Sequence, residues 1–229
     1  MRDSGGSKKT ALVLVPHAGG DKLAYTRLIK GLSGKRDVFF YELPGHGTRA
    51  GESFAESYQD ILRELVEFIK DKTSDYDSYI MCGVSMGAYL CDNAYRKLLS
   101  GSCKLPSHVI YAAVDPSKTS GMLSKEDIMQ KSADPEQLGL NNAYSIYLKD
   151  MLEKDLDIFF REGAVFGTTL KCPLSFFMGR DDRLLGKVDY DWGLLAPKGY
   201  REYLFEGPHL FMTSNANVIT TINRICDHI

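Results

Sequence analysis

Ser78-Tyr79-Ile80-Met81-Cys82-Gly83-Val84-Ser85-Met86-Gly87 is the stretch on which the fold turns. Its first half is short, apolar and bounded by Asp77, as a buried strand should be. From Met86 to Leu99 the residues Ala88, Leu90, Cys91, Ala94, Leu98 and Leu99 recur at roughly helical spacing. Gly83-Val84-Ser85-Met86-Gly87 lies between the two and fits the G-x-S-x-G nucleophile elbow, a sharp strand-to-helix turn that projects a serine hydroxyl off the sheet. The two glycines remove side chains that would clash in so strained a turn. Ser85 is therefore the leading nucleophile.

Outward from this turn the pattern repeats. Ala11 to Val15 is a continuous apolar run ending at Pro16, as expected of a parallel strand buried on both faces. The same signal recurs at Val38 to Tyr41, Val109 to Ala113, Leu174 to Met178 and, more weakly, Tyr203 to Phe205. Ile61, Leu62, Leu65, Val66 and Ile69 make one helical stripe, and Val218, Ile219, Ile222, Ile225 and Cys226 another. Strands alternating with helices predict a single α/β domain over 1–229 built on a doubly wound, mostly parallel sheet. Residues Asp115 to Thr169 interrupt the rhythm, being far longer than one crossover helix requires. Ser124-Lys125-Glu126-Asp127 opens a helix there in capping-box style. Tyr144, Tyr147, Leu148, Met151 and Leu152, followed by Leu156, Phe159 and Phe160, predict one or two more. This insertion is the natural candidate for a lid; the alternative is a helical flank of the sheet.

The bulk properties narrow the function. With 229 residues, 44% hydrophobic, and a net charge of −2, the chain has a sizeable core and no electrostatic reason to bind nucleic acid. No segment approaches the ~18 consecutive apolar residues of a membrane span. Met1 to Lys9 is polar, without the apolar run of a signal peptide, and reads as a flexible lead, so a cytoplasmic protein is expected. Cys82, Cys91, Cys103, Cys172 and Cys226 are scattered and odd in number, which fits reduced core thiols better than disulfides or a metal site.

A serine needs a base to take its proton and an acid to orient that base, in the chain order Ser, Asp/Glu, His. Only His209 and His228 follow the strand at Leu174 to Met178. His228 is penultimate, on a fraying end, whereas His209 follows Glu206-Gly207-Pro208 just beyond the last strand, so His209 is the expected base. For the acid, Gly179-Arg180-Asp181-Asp182 follows a strand directly. Asp182 is preferred on its Gly-x-x-Asp spacing, with Asp181 the alternative and Asp115 and Asp155 more distant rivals. Backbone donors for a tetrahedral oxyanion are expected from Met86 and, in the loop Pro16-His17-Ala18-Gly19-Gly20, from Ala18. His17 precedes the serine and reads as a structural support of that loop; His46 and His108 read as a loop residue and a strand-edge residue.

These motifs resemble those of type II thioesterases, free-standing α/β-hydrolases that accompany nonribosomal peptide and polyketide synthases. The resemblance spans nearly the whole chain. It rests on Pro16 to Gly20, on Glu42-Leu43-Pro44-Gly45-His46-Gly47-Thr48-Arg49, on Ser85-Met86-Gly87-Ala88 and on Gly207-Pro208-His209-Leu210-Phe211, with Leu156 to Phe160 and Trp192 as later landmarks. Val84, His46 and Pro208 depart from it, standing where the family usually has His, often Arg, and Gly. The resemblance implies an α/β-hydrolase with helices on both faces of its sheet and a helical lid insertion at 115–169. It also implies hydrolysis of acyl, aminoacyl or peptidyl thioesters from the phosphopantetheine arm of an acyl- or peptidyl-carrier protein. No metal or bound cofactor is required for that reaction, and a monomer is expected. Met122, Met129 and Met151 would make the lid adaptable, and Lys22, Arg27, Lys30 and Arg49 are available for a basic rim facing an acidic carrier. A carboxylic ester or free acyl-CoA is the rival substrate class, and a catalytically silent scaffold a third reading.

Overall fold

A computed structural model describes residues 10–115, 124–132, 142–162, 165–185, 188 and 190–229. The expected flexible lead, Met122 and the side chain of Tyr144 lie outside this description. Six strands, β1 (Thr10–Val15), β2 (Val38–Phe40), β3 (Ser78–Val84), β4 (His108–Ala112), β5 (Leu174–Gly179) and β6 (Tyr200–Phe205), form one sheet in the order β2-β1-β3-β4-β5-β6. Every neighbouring pair is parallel. The helices are α1 (Thr26–Ser33), α2 (Tyr58–Thr73), α3 (Met86–Ser100), α4 (Lys125–Ser132), α5 (Asn142–Glu162), α6 (Phe211–Ser214) and α7 (Ala216–Cys226).

Side-chain alternation along each strand divides the core into two layers. Ala11, Val13 and Val15 of β1 and Tyr79 and Met81 of β3 face one layer, with α2, α3 and α5 packed upon it. Leu12, Leu14, Ile80, Cys82 and Val84 face the other, covered by Leu28 and Leu32 of α1 and by Val218, Ile222, Ile225 and Cys226 of α7. Both faces are therefore buried, which is why the strands read as unbroken apolar runs. Helix α1 is not among the helices expected from periodicity, because only Leu28 and Leu32 of its eight residues are buried. All five cysteines are unpaired, and burial pushes up the thiol pKa of Cys82, Cys91, Cys172 and Cys226.

The 115–169 segment contributes to the core as well as bordering it. Ser124 caps α4 as its sequence predicts: the Asp127 N–H donates to Ser124 Oγ, and the Asp127 carboxylate accepts from both the N–H and the hydroxyl of Ser124. Lys125 then ties α4 to Glu153 and Asp157 of α5. Of the one or two helices expected at 144–160 one forms, with Met151 buried and Leu156, Ile158 and Phe159 buried in the first layer. Phe159 sets its edge against Tyr89 at 5.0 Å and Tyr58 at 6.4 Å between centroids. Losing such a ring costs about 3–5 kcal/mol, so this part of α5 is anchored to the sheet layer.

The strand order reverses between β1 and β3, the switch point of a parallel sheet, where the loops leaving two neighbouring strands part to opposite faces and open a crevice. Ser85 follows β3 and the 16–20 loop follows β1, so both stand at this crevice.

At the opposite end of the strands, His108 opens β4 and shares a hydrogen bond with Ser175 Oγ of β5 at 2.9 Å, and burial lowers its pKa to about 4. The unfolded chain binds this proton below about pH 6.5, whereas the folded chain refuses it until about pH 4. The associated stability is complete above about pH 6.5 and is lost as pH falls toward 4. His108→Gln should therefore flatten the pH dependence of urea-unfolding stability across that window; identical slopes in the two proteins would contradict this.

Candidate active site

Ser85 sits at the junction of β3 and α3 with φ 53 and ψ −117, a positive-φ conformation that a serine holds only under constraint. Its N–H donates to the Ala112 carbonyl of β4 at 2.8 Å. The flanking glycines explain how the turn closes. A Cβ on Gly83 would stand 2.3 Å from the Gly87 carbonyl oxygen, and one on Gly87 would stand 2.4 Å from the carbonyl oxygens of Val15 and Pro16. The elbow is thus pressed directly onto the end of β1.

Ser85 Oγ lies 3.0 Å from His209 Nε2, and His209 Nδ1 lies 2.8 Å from Asp182 Oδ2. Asp182 Oδ1 accepts from the N–H groups of Leu184 and Leu185 at 2.9 and 3.1 Å. Burial raises the Asp182 pKa, but the hydrogen bond and charge of His209, with the two amides, outweigh it and hold the pKa below the usual carboxylate value. An ionised carboxylate can only accept, so the imidazole proton sits on Nδ1 and Nε2 is left to accept from the Ser85 hydroxyl. Asp181 is exposed, and its N–H donates to the Gly207 carbonyl at 3.0 Å. Of the two adjacent aspartates, Asp182 is the one against His209.

Two glycines bring these loops together. Gly207 adopts φ 124, and a Cβ on Gly179 would stand 2.6 Å from the carbonyl oxygens of Gly207 and Pro208. The Pro208 carbonyl accepts from the Phe211 N–H at 3.0 Å, opening the turn into α6 that seats His209.

The 16–20 loop has most of its amides committed. The His17 N–H donates to the Tyr25 hydroxyl at 3.3 Å, Gly19 donates to Asp155 Oδ2 at 2.7 Å and Gly20 donates to the His17 carbonyl at 2.9 Å. Among the described residues no acceptor meets the Ala18 N–H. Nor does Ser85 use its side chain to cap α3, so the Met86 amide keeps the free N–H of a first helical turn. His17 Nδ1 lies 2.7 Å from the Tyr25 hydroxyl; burial first, then the neighbouring His209 and His46, lowers its pKa to about 3. It stays neutral and supports the loop. His228 is exposed beyond α7.

Several groups hold the site in roles that the sequence does not announce. Glu42, almost buried, accepts from the Lys22 N–H at 2.8 Å and from the N–H and hydroxyl of Thr48, tying two loops together. His46 is fully buried and bonded to Asp155, so neither acts on Ser85 or His209. Asp92 of α3 is buried and accepts from the Thr168 N–H and hydroxyl, both at 2.9 Å, fastening the end of the 115–169 segment. Arg49, expected on a basic rim, instead binds Glu52 and Glu64 and donates to the Glu42 carbonyl at 2.8 Å. Its charge is matched within the fold. Glu42, His46 and Arg49 share the signal of a polar residue in a glycine-containing loop, whereas Asp92 and Asp155 lie on helices and give no such signal; a partner as remote as Asp155 is from His46 cannot be read from the chain. Among the described residues no three His, Cys, Asp or Glu side chains gather to hold a metal ion, and no helix is long and apolar enough to cross a membrane.

A hydrogen-bonded serine, histidine and aspartate at the switch point of a parallel sheet place the molecule among the α/β-hydrolase-like proteins. Sequence comparison then narrows the class: a family model for the thioesterase domain matches residues 10–226, and the chain belongs to that family. Family membership supports a hydrolase activity. No curated protein matches the chain by sequence. Among solved structures, it is similar to the RedJ thioesterase from the prodiginine biosynthetic pathway of Streptomyces coelicolor, with a TM-score of 0.79 and 20% identity over 99% of this chain and 88% of that one. It is also similar to ClbQ from the colibactin NRPS/PKS pathway, with a TM-score of 0.75 and 19% identity over 96% and 98% of the two chains. The type II thioesterase BorB from the borrelidin biosynthetic cluster gives a TM-score of 0.73 and 20% identity over 94% and 92%. At these identities the likeness speaks for the fold.

Gly87→Ala should destabilise the protein by about 2–3 kcal/mol, since the added methyl meets backbone oxygens rather than a yielding side chain. Gly51→Ala is the control: nothing lies within 4 Å of its added Cβ, and its effect should stay within about 0.5 kcal/mol. Urea denaturation of both variants checks the difference.

Proposed function

We propose that the protein hydrolyses acyl, aminoacyl or short peptidyl thioesters carried on the phosphopantetheine arm of a carrier protein, as a type II editing thioesterase. The observation that carries the chemistry is the unbroken line from Ser85 Oγ through His209 to Asp182. Membership of the thioesterase family supports the bond type, and likeness to enzymes of named biosynthetic pathways supports the carrier-bound substrate.

In this reading His209 Nε2 takes the Ser85 proton as Oγ bonds to the thioester carbonyl carbon. The oxygen that becomes negative lies between the N–H groups of Ala18 and Met86, which are fixed before the reaction and need no reorganisation. Asp182 stabilises the imidazolium without itself taking the proton. Collapse of the tetrahedral intermediate breaks the C–S bond, and His209 returns its proton to the departing pantetheine thiolate. Water then repeats the attack, with His209 again as base, releasing the carboxylic acid and restoring Ser85. The thiolate is a good leaving group, so the reading requires no metal or bound cofactor. The 115–169 segment serves as the lid, and the protein works as a cytoplasmic monomer with neither membrane nor nucleic acid among its partners.

Ser85→Ala should abolish turnover of an acyl-carrier substrate while leaving the circular dichroism spectrum and melting temperature intact; wild-type rates in that variant would dismiss the mechanism. Asp182→Asn should lower kcat by on the order of 10³–10⁴, because it reverses the tautomer of His209, while Asp181→Asn should stay within about twofold. Equal losses in the two would reject the assignment of the acid. Mass spectrometry of a carrier protein loaded with acetyl or aminoacyl groups, beside the matching acyl-CoA, tests the substrate. Carrier unloading well ahead of the CoA is expected, and equal or CoA-favoured rates would mark a general acyl-thioester or ester hydrolase.

A further inference from the structure

Asp155 lies 136 residues from Gly19 in sequence, yet its Oδ2 accepts the Gly19 N–H at 2.7 Å. The same oxygen is 3.1 Å from His46 Nε2, and His46 Nδ1 is 3.0 Å from the Pro44 carbonyl. The His46 and Asp155 side chains are 0% and 2% exposed. Both ring nitrogens of His46 therefore face oxygens: a carbonyl, which cannot donate, and a carboxylate, which accepts when ionised. An imidazolium opposite an ionised Asp155 satisfies both contacts as donor. Burial works against charging this ring, but the hydrogen bond and charge of Asp155 outweigh it and raise the pKa of His46; Asp21 acts in the same sense. Helix α5 also touches the loop by its backbone, since a Cβ on Gly19, at φ 74, would stand 3.0 Å from the Leu152 Cα, Cβ and N atoms. Gly47 completes the contact, its N–H donating to the Tyr147 hydroxyl of α5 at 3.2 Å.

From this geometry we infer that Asp155, paired with His46, is a positioning residue for the acyl-transfer step: it fixes the Ala18 and Gly19 peptides and so wires the 115–169 segment to the oxyanion-binding loop. The inference rests on the reading of Ala18 as an oxyanion donor. It assigns α5 a role in the chemistry distinct from covering the substrate. Gly19 is the residue immediately after Ala18, so loss of its carboxylate acceptor frees the peptide flanking the donor to rotate. A displaced donor is felt where charge develops, in the transition state, and hardly in the ground state. The consequence is a fall in kcat with KM little changed.

The test uses the full-length protein, with active sites counted by titration to completion with a fluorophosphonate that labels Ser85. Asp155→Ala should lower kcat per titrated site by on the order of 10- to 100-fold with KM within about threefold, the range for a weakened oxyanion donor. Asp155→Asn can keep an amide oxygen in the place of Oδ2, accepting from the Gly19 N–H and from a His46 Nε2–H while losing the carboxylate charge, so it should recover most of that loss and remain about three- to tenfold below wild type. A role confined to folding would reduce the number of titratable sites and leave kcat per site unchanged. Wild-type kcat per site, or a change in KM alone, overturns the inference, and Asp155→Asn decides it if Asp155→Ala fails to fold. Failure of the underlying reading would show separately, as no labelling of Ser85 or as turnover by Ser85→Ala.

Discussion

The turn at Ser85 is the constraint from which the rest of the site is laid out. A serine at φ 53 is unfavourable unless its neighbours hold it. Here the holding is done by backbone: the Ser85 N–H on the Ala112 carbonyl, and two glycines so close to carbonyl oxygens that neither can take a side chain without displacing backbone. Because Gly87 rests on the carbonyls of Val15 and Pro16, the elbow and the 16–20 loop cannot vary independently. The proposed nucleophile and the proposed oxyanion donors are parts of one rigid contact between β1 and the start of α3. The other side of the crevice repeats the device, with Gly179 packed on the Gly207 and Pro208 carbonyls so that Asp182 and His209 meet.

Among the described residues, the buried carboxylates of Glu42, Asp92 and Asp155 are hydrogen-bonded, and these bonds join separate segments of the chain. Glu42 binds the loops at 22 and 48, Asp92 binds the 168 segment, and Asp155 binds both 19 and 46. Each carboxylate accepts from backbone N–H groups as well as from a side chain, which is how a low-dielectric interior tolerates it. The consequence for function is directional. The loops at the crevice are held from below by the sheet and from the side by α5, while the amides of Ala18 and Met86 are left without protein partners among the described residues. A site meant to receive developing negative charge needs such donors, fixed and unspent.

The fold was largely legible because it depends on local patterns. Parallel strands buried on both faces appear as apolar runs, and five of the six stand where those runs lie; β6 is an edge with exposed residues and gives the weaker signal. The stripes of α2 and α7 show for the same reason. Helix α1 was not singled out because its eight residues span little more than two turns and bury only Leu28 and Leu32, and it packs against α6 and α7. In the 115–169 segment the helical residues could be recognised, but their attachment to the core through Phe159 and to the loops through Asp155 could not.

The candidate site divides along the same line. Chemical types and chain order, Ser85 then an aspartate after β5 then His209, follow from sequence alone, since a strand end specifies where a side chain must emerge. Which of Asp181 and Asp182 meets His209, the bond of His17 to Tyr25, the engagement of Arg49 and the pairing of His46 with Asp155 were decided only by tertiary structure. The physical reason is that a side chain's direction and ionisation depend on partners up to 136 residues away, and hydrogen-bond geometry between such residues comes into being only when the chain has packed.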